Sequence, residues 1–505
     1  MLERVEKEET QVTEKPFTAG NSLLFAAIER RLIFIVCLQF LAAPLLISQS
    51  SSGSATFPGT SITIPGTESP FTGSQPEDKA SPEVLQIGFV DAIDRGLRNN
   101  LGLLISGDNT LTARGEKWKE LSELLPNLHA NIEENVQTQS LSALGLNRKI
   151  FPTAPRVVGP FNYFDARAYL SQSVFDFKAI EKERAAEEGV RAAQYSYKDA
   201  RELVVLAVGN AYLLAIAQAA RVETAEAQVK SADAFYGKAV DSQKAGLTPG
   251  IDTLRSQVEF QTRQQQLIVA RNDYAKQKLS LARIIGLAPG QKFVLTEKSP
   301  YQAMTPLPLE QYLQRAYLGR SDYQAALAKV RSDELSRRAA SAGRYPSLEM
   351  GANFGDIGVN PATSNGTWQV NGNLNIPIFA GGKVRSDVLE ADAALKEARS
   401  RLGDLRGRID YEVRSALLDL NSAAEQVEVA RSSVDLAEQT FTQSQDRFTA
   451  GVADNLEVVQ AQESVASAHE TYIESLYAHN LAKVELAHAV GDAEEGVKRY
   501  LKGDQ

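Results

Sequence analysis

One stretch of this chain occurs twice, and that duplication limits the fold more than any other feature. Around Gly246 the residues run Asp241-Ser-Gln-Lys-Ala-Gly-Leu-Thr-Pro-Gly-Ile251; around Gly451 they run Asp446-Arg-Phe-Thr-Ala-Gly-Val-Ala-Asp-Asn-Leu456. The spacing of 205 holds back to Val208 and Val413 and forward to Gly286 and Gly491. An earlier match, Leu125-Pro126-Asn127-Leu128 against Tyr345-Pro346-Ser347-Leu348, is spaced by 220. The two halves cover 83–291 and 304–496, with 292–303 as a linker between them and 497–505 as a tail. A solenoid needs about three repeats or more to bury its faces, so two halves imply internal pseudo-symmetry instead.

Each half predicts a very long helix. In the second half Val413, Ala416, Leu420, Ala423, Val427, Ala430, Val434, Ala437 and Phe441 recur at spacings of three and four. The first half repeats the seam as Val208, Ala211, Ala215, Gln218, Val222, Ala225, Val229, Ala232 and Tyr236, broken only by Gln218. That is a heptad pattern, the mark of helices packed in a coiled coil. Residues 178–243 and 383–448 hold no proline. At 1.5 Å per residue each stretch makes a helix about 100 Å long. A second helix is expected after each tip, over 251–285 and 456–490. By periodicity alone this is a generic antiparallel coiled coil.

Four segments have a period of two. In Trp368-Gln-Val-Asn-Gly-Asn-Leu-Asn-Ile-Pro-Ile378 the apolar and polar residues alternate, as they do in Leu348-Glu-Met-Gly-Ala-Asn-Phe354. Leu128, Ala130, Ile132 and Val136 alternate with His129, Asn131, Glu133 and Asn135; Phe164, Ala166, Ala168, Leu170 and Val174 alternate with Asp165, Arg167 and Ser171. Side chains point to opposite faces along a strand, so each segment has one apolar and one wet face. Strands are expected near 128–138, 162–175, 347–357 and 366–379. A sheet packed on its own core would alternate in the same way. Segments of about 10 residues with an Asn-, Glu- and Arg-rich polar face also suit membrane-spanning strands. Four strands cannot close a barrel, and an open edge is not tolerated in lipid, so spanning strands would require several copies of the chain. A water-filled interior favours about twelve strands or more.

Composition narrows the chemistry. The 505 residues carry a net charge of -9, against the basic surface that nucleic-acid binding requires. One cysteine and four histidines all but exclude a disulfide framework or a Cys/His metal site. His469, His479 and His488 share a helix at spacings of ten and nine, not the spacing of four that pairs metal ligands. No nucleophile elbow or phosphate loop is present, so an exported hydrolase has no candidate site and no metal or cofactor is expected. Near the N-terminus, Arg30 and Arg31 precede an apolar run from Leu32 to Ile47 with small residues after it, so 1–48 read as a secretory signal. Cys37 lies inside that run, and 49–82, rich in Ser, Thr, Gly and Pro, read as a flexible linker.

The ordered set of duplicated tips Ala245-Gly246-Leu247 and Ala450-Gly451-Val452, the lead-in Arg447-Phe-Thr-Ala-Gly451, Leu456-Glu-Val-Val459-Gln-Ala461, and the strand-to-helix joint Ile376-Pro-Ile-Phe-Ala-Gly-Gly382 resembles the TolC-type outer-membrane efflux proteins. The likeness spans roughly 83–496, and its first-half joint, Ser173-Val-Phe-Asp-Phe177, is the weaker match. The resemblance implies a mixed α+β membrane protein and a homotrimer. Each protomer would give four strands to a transmembrane β-barrel in the outer membrane, and its coiled-coil hairpins to a long periplasmic α-helical barrel. It implies a passive exit duct for efflux or type I secretion, joined through a periplasmic adaptor to an inner-membrane pump of RND or ABC type. The rival reading is a periplasmic coiled-coil structural or adaptor protein. The resemblance assigns adaptor contact to Gly246, Leu247, Gly451 and Val452, and makes Glu457, Gln460 and Asp252 candidates for the periplasmic aperture. Gln460 stands where the family carries an acid. For Glu457 a helix-dipole role in a first turn is an equal alternative. Trp368, Val370, Leu374, Ile376, Leu348, Met350 and Phe354 are the expected lipid-facing residues.

Overall fold

The computed structural model describes residues 70–496 apart from 78, 142, 144–154, 247, 298–300, 303, 305 and 306. The secretory-signal reading, Cys37, Leu247 and the tail 497–505 lie outside the described residues. Two layers of structure follow one another along each half. In the first, β1 (Leu85–Ile87), α1 (Phe89–Asn99) and α2 (Leu101–Ser122) lead into the strands β2 (Asn127–Ser140) and β3 (Val157–Phe175), then α3 (Phe177–Lys244) and α4 (Gly250–Ile284). In the second, β4 (Phe293–Leu295), α5 (Leu309–Gly319) and α6 (Ser321–Ala342) lead into β5 (Ser347–Gly358) and β6 (Asn365–Asn375), then α7 (Lys383–Thr449) and α8 (Asn455–Ala489).

The long helices obey the heptad seam. Val208, Ala211, Ala215, Ala225 and Ala232 of α3 are buried, as are Val413, Ala416, Leu420, Ala423, Val427 and Ala430 of α7. α3 packs along α2, α4 and α6, and α7 along α6 and α8. α3 is the one described helix apolar enough to cross a membrane by composition; 56% of its most apolar window is buried within the chain, which makes that window core. One core gathers α1, α3, α4 and α8 around Phe89, Ile93, Val204, Val208 and Tyr212. Each such large apolar side chain contributes roughly 1.5–3 kcal/mol by leaving water. The Tyr212 hydroxyl, buried with it, donates to the Ile87 carbonyl at 3.1 Å. A second core gathers α5, α7 and α8 around Tyr312, Ile409, Val413 and Leu486.

Glycine marks the duplicated helix ends. Gly286 after α4 and Gly491 after α8 have φ of 73° and 74°. A side chain at Gly286 would strike Asn99 at the end of α1, and one at Gly491 would strike the backbone of Gly319 and Arg320 at the end of α5. Both positions therefore need glycine for handedness and for close approach.

Three sequence expectations require correction. The segment 292–303, read as a linker, holds β4, which pairs in parallel with β1 and buries Phe293. Within 49–82, read as flexible, Pro70–Thr72 forms a 3-10 turn whose Phe71 packs on the first core. The last strand ends at Asn375, so Ile376 follows it. Pro377, lacking an N–H, cannot extend a ladder.

Candidate functional site

The four longer strands form one antiparallel sheet in the order β2-β3-β5-β6. Its register sorts the side chains. Leu128 pairs with Leu170, Leu170 with Ala352, and Ala352 with Val370; Ala130, Ala168, Phe354 and Trp368 form the next row. One face is thus largely apolar across all four strands, with Glu134 on β2, Asn162 and Gln172 on β3 and Asp356 on β5 as its polar exceptions. Leu348, Met350, Phe354, Trp368, Val370 and Leu374 all stand on it, since Leu348 pairs with Leu374 and Met350 with Gly372. Among the described residues nothing covers this face: Ile132 is 76% exposed and Trp368 75%. The sheet therefore does not pack on a core of its own.

The opposite face is wet and internally bonded. Arg167 on β3 reaches across two neighbours. Its guanidinium donates to Asp165 at 3.1 Å, to Asn353 of β5 at 2.8 Å and to Thr367 of β6 at 3.0 Å. Gly355 pairs with both Arg167 and Thr367, and a Cβ there would collide with Arg167, so the glycine clears the arginine's path. His129 stacks on Tyr169 across β2 and β3 at 5.1 Å, and the Asn135 amide donates to Glu133.

At the far ends of the long helices lie the duplicated tips. Gly246 and Gly451 have φ of 75° and 71°, and open space surrounds the position of an added Cβ at each. The Gly451 N–H bonds the Phe448 carbonyl and the Val452 N–H bonds the Arg447 carbonyl, the double bond that closes a helix on a left-handed residue. Val452 is exposed. The two tips are tied together by Asn455, the first residue of α8. Its fully buried amide donates to the Asp252 carbonyl at 2.6 Å and to the Ser256 hydroxyl at 2.8 Å. Phe235 of α3 and Phe448 of α7 pack against each other, their rings 5.5 Å apart. The sequence carried a signal for the tie: Asn455 stands where the first half has Gly250, an asymmetry at the otherwise duplicated turn.

The three aperture candidates fall in different surroundings. Glu457 receives Asp454 as the cap of its own N–H and forms an ion pair with Arg447 at 3.0 Å. Asp252 lies in the first turn of α4, 3.7 Å from Arg255. Gln460 is exposed on α8. The tip contact thus brings Asp252 and Asn455 together, while Glu457 has its own partner within its hairpin.

Sequence reasoning missed a charged cluster partway along α3 and α7, where the ends of α5 and α8 meet them. Arg320, at the end of α5, is buried, donates to Asp322 at 2.7 Å and to Glu412, and also reaches the Ala489 carbonyl. Burial, then the charge of Asp322, pushes Asp199 up to about 6. Burial, then the charges of Asp199 and Asp322, pushes Glu202 up to about 8. On α8, His479 and Lys483 are buried. Burial lowers Lys483 to about 8, and its ammonium donates to the Gln302 carbonyl. No described group of three His, Cys, Asp or Glu is placed to hold a metal.

Comparison with known proteins adds kinship to this geometry. The family model of the outer membrane efflux protein matches residues 122–287 and 312–492, more than half of the chain. The alkaline protease secretion protein AprF of Pseudomonas aeruginosa is 23% identical over 344 residues, covering 65% of this chain and 69% of the relative. The toluene efflux pump outer membrane protein TtgF of Pseudomonas putida is 22% identical over 420 residues, covering 80% and 84%. Among solved structures, the Campylobacter jejuni CmeC outer membrane channel superposes with a TM-score of 0.70 at 18% identity, over 88% of this chain and 94% of that one. The Vibrio cholerae outer membrane protein VceC superposes with a TM-score of 0.68 at 19% identity, over 81% and 97%.

Proposed function

The chain belongs to the outer membrane efflux protein family, an outer-membrane protein with its helical part in the periplasm, and from that premise we propose that three copies form a passive exit duct. Each copy gives four strands to a twelve-stranded barrel, with the apolar face toward lipid and the Arg167 face toward a water-filled lumen. The long hairpins continue the duct through the periplasm as an α-helical barrel. The tips at Gly246, Leu247, Gly451 and Val452 meet a periplasmic adaptor, which couples the duct to an inner-membrane pump of RND or ABC type. Glu457, Gln460 and Asp252 line the periplasmic aperture. The pump supplies the energy, and the duct itself catalyses no reaction.

The observation that carries this reading is the sheet: an uncovered apolar face, a bonded polar face, and two outer edges, on β2 and β6, that nothing among the described residues pairs. In water such a sheet would expose both a large apolar patch and two open ladders, an aggregation hazard. In a membrane the patch is solvated by lipid, and closure with other copies satisfies the edges. The test is fractionation followed by native sizing. The chain should partition with the outer membrane and migrate as a trimer in mild detergent. A soluble monomer would reject the duct and favour a periplasmic coiled-coil structural or adaptor protein.

A further inference from the structure

We infer that the free edge of β6 joins the free edge of β2 of a second copy in one specific register, in which Leu374 faces the second copy's Ile132. This inference rests on the trimeric duct proposed above. The template is the chain's own duplication. The spacing of 220 between Leu125–Leu128 and Tyr345–Leu348 makes β5 the counterpart of β2. The two hairpins share one register: Leu128 pairs with Leu170 as Leu348 pairs with Leu374, and Ile132 pairs with Ala166 as Ala352 pairs with Val370. It follows that β6 is the counterpart of β3 at a spacing of 204. The same spacing sets Val174-Phe175 against Ile378-Phe379, an aliphatic–Phe pair beyond the paired residues of β6.

Three of the four junctions around one repeat of the barrel are then known. β2 with β3 and β5 with β6 are equivalent hairpins, and β3 with β5 joins one half to the next. The missing junction is its counterpart, from the second half to the first half of the next copy. Leu170 opposite Ala352 becomes Leu374 opposite Ile132, and Ala166 opposite Asp356 becomes Val370 opposite Val136. Tyr169 opposite Asn353 becomes Asn373 opposite Glu133, and Ser171 opposite Gly351 becomes Asn375 opposite Asn131.

Two independent facts agree with this junction. Within β6 every derived pair joins like faces, apolar with apolar and polar with polar, apart from Glu134, which meets Gly372, a position with open space around it, and Thr138, which meets Trp368. A slip of one residue would oppose Leu374 to a polar neighbour and turn β2's apolar set to the lumen. The second fact is the state of the joint after β6. Ile378 is 95% exposed and Phe379 89%, the most exposed large apolar side chains described. Their counterpart Phe175 pairs with Leu348 and packs on Phe177 at 4.5 Å, with Phe177 on Tyr345. Across the junction, the counterparts of Leu348 and Tyr345 are Leu128 and Leu125 of the second copy. Both are exposed here, and they are what Phe379 would cover.

Paired cysteines test the register on the polar face, where neither variant disturbs the apolar one. In a chain with Cys37→Ser, Glu133→Cys with Asn373→Cys should form covalent dimers and trimers on mild oxidation in outer-membrane fractions, and reductant should reverse them. Opposed residues in an antiparallel pair lie about 4.5–5.5 Å apart between Cα atoms, inside disulfide range. Glu133→Cys with Gln369→Cys, displaced by four residues or about 13 Å along the strand, should stay uncrosslinked. Asn131→Cys with Asn375→Cys is the second pair expected to link. Trimers in mild detergent with linkage only in the displaced pair, or in none, would overturn the register and leave the duct standing. A monomer in the same detergent would overturn both.

Discussion

At the scale of single residues, the charged cluster around Arg320 sets a pH dependence. Glu202 is pushed up to about 8 first by burial and then by Asp199 and Asp322. An unfolded glutamate titrates near 4.5. Between those values the folded chain holds a proton that the unfolded chain has released, so stability falls as pH rises through that window. Glu202→Gln should therefore raise the thermal midpoint at pH 8 relative to the parent and change little at pH 5. Melting curves of the detergent-solubilised protein at both pH values check this, and an equal shift at the two would remove Glu202 from the cluster. Asp322 behaves oppositely. Burial would raise it, but the hydrogen bonds and charge of Arg320 outweigh that and hold it low, so its contribution is present at neutral pH and lost in acid. At the tips, Asn455 is the tie to watch. Removing its amide leaves the Asp252 carbonyl and the Ser256 hydroxyl without that donor and costs roughly 1–3 kcal/mol at the tip. Asn455→Ala should raise the conductance of the closed channel in planar bilayers more than Glu457→Ala does, because Glu457 acts within its own hairpin through Arg447. The reverse order would make Glu457, and not the Asn455 tie, the stronger hold on the closed aperture.

At the scale of elements, the sheet carries the strongest prediction. Leu374 is exposed on the apolar face opposite Leu348, and Asn373 is its neighbour on the wet face. In the proposed barrel Leu374→Arg places a charge toward lipid at a cost of about 2–4 kcal/mol near the midplane. Heat-modifiable trimer recovered from the outer membrane should drop sharply for Leu374→Arg and be unaffected by Asn373→Arg. Equal loss for both would mean that the faces are not divided between lipid and water. Much of this element scale was legible in the residues, because period two and period 3.6 are local signals. The seam residues from Val413 to Ala430 are buried as their spacing requires. The misses have one cause. β1 and β4 are three residues each and meet across about 200 residues of chain, so no local pattern reveals them. Phe71 was hidden in a Ser- and Pro-rich stretch whose composition says linker, although one aromatic suffices to anchor it. Arg320 and Asn455 escaped because a buried polar side chain is recognised by its partners, and Glu412 and Ser256 lie 92 and 199 residues away.

At the scale of the whole molecule, the duplication explains why one chain can serve two surroundings. Each half supplies the same order of short helices, a strand pair and a long hairpin, so the apolar sheet and the solvated coiled coil both repeat within one chain. The net charge of -9 then becomes a property of the duct and not a clue to its cargo. On the wet face of the sheet, Glu133, Asp165 and Glu349 outnumber Arg167, and Arg167 is committed to Asp165, Asn353 and Thr367. In the proposed trimer these carboxylates ring a shared lumen, where fields of one sign concentrate counter-ions. Potassium should pass in preference to chloride. The preference should be strong at about 0.1 M salt, where screening reaches only about 10 Å, and fade at about 1 M, where it acts within about 3 Å. Reversal potentials across a KCl gradient measure it directly. Glu133→Gln combined with Glu349→Gln should weaken the preference without changing the number of channels inserted, since both side chains lie on the wet face and neither holds Arg167. Anion preference at low salt would place some other surface in the lumen, because no arrangement with the Arg167 face inward supplies excess positive charge from these strands.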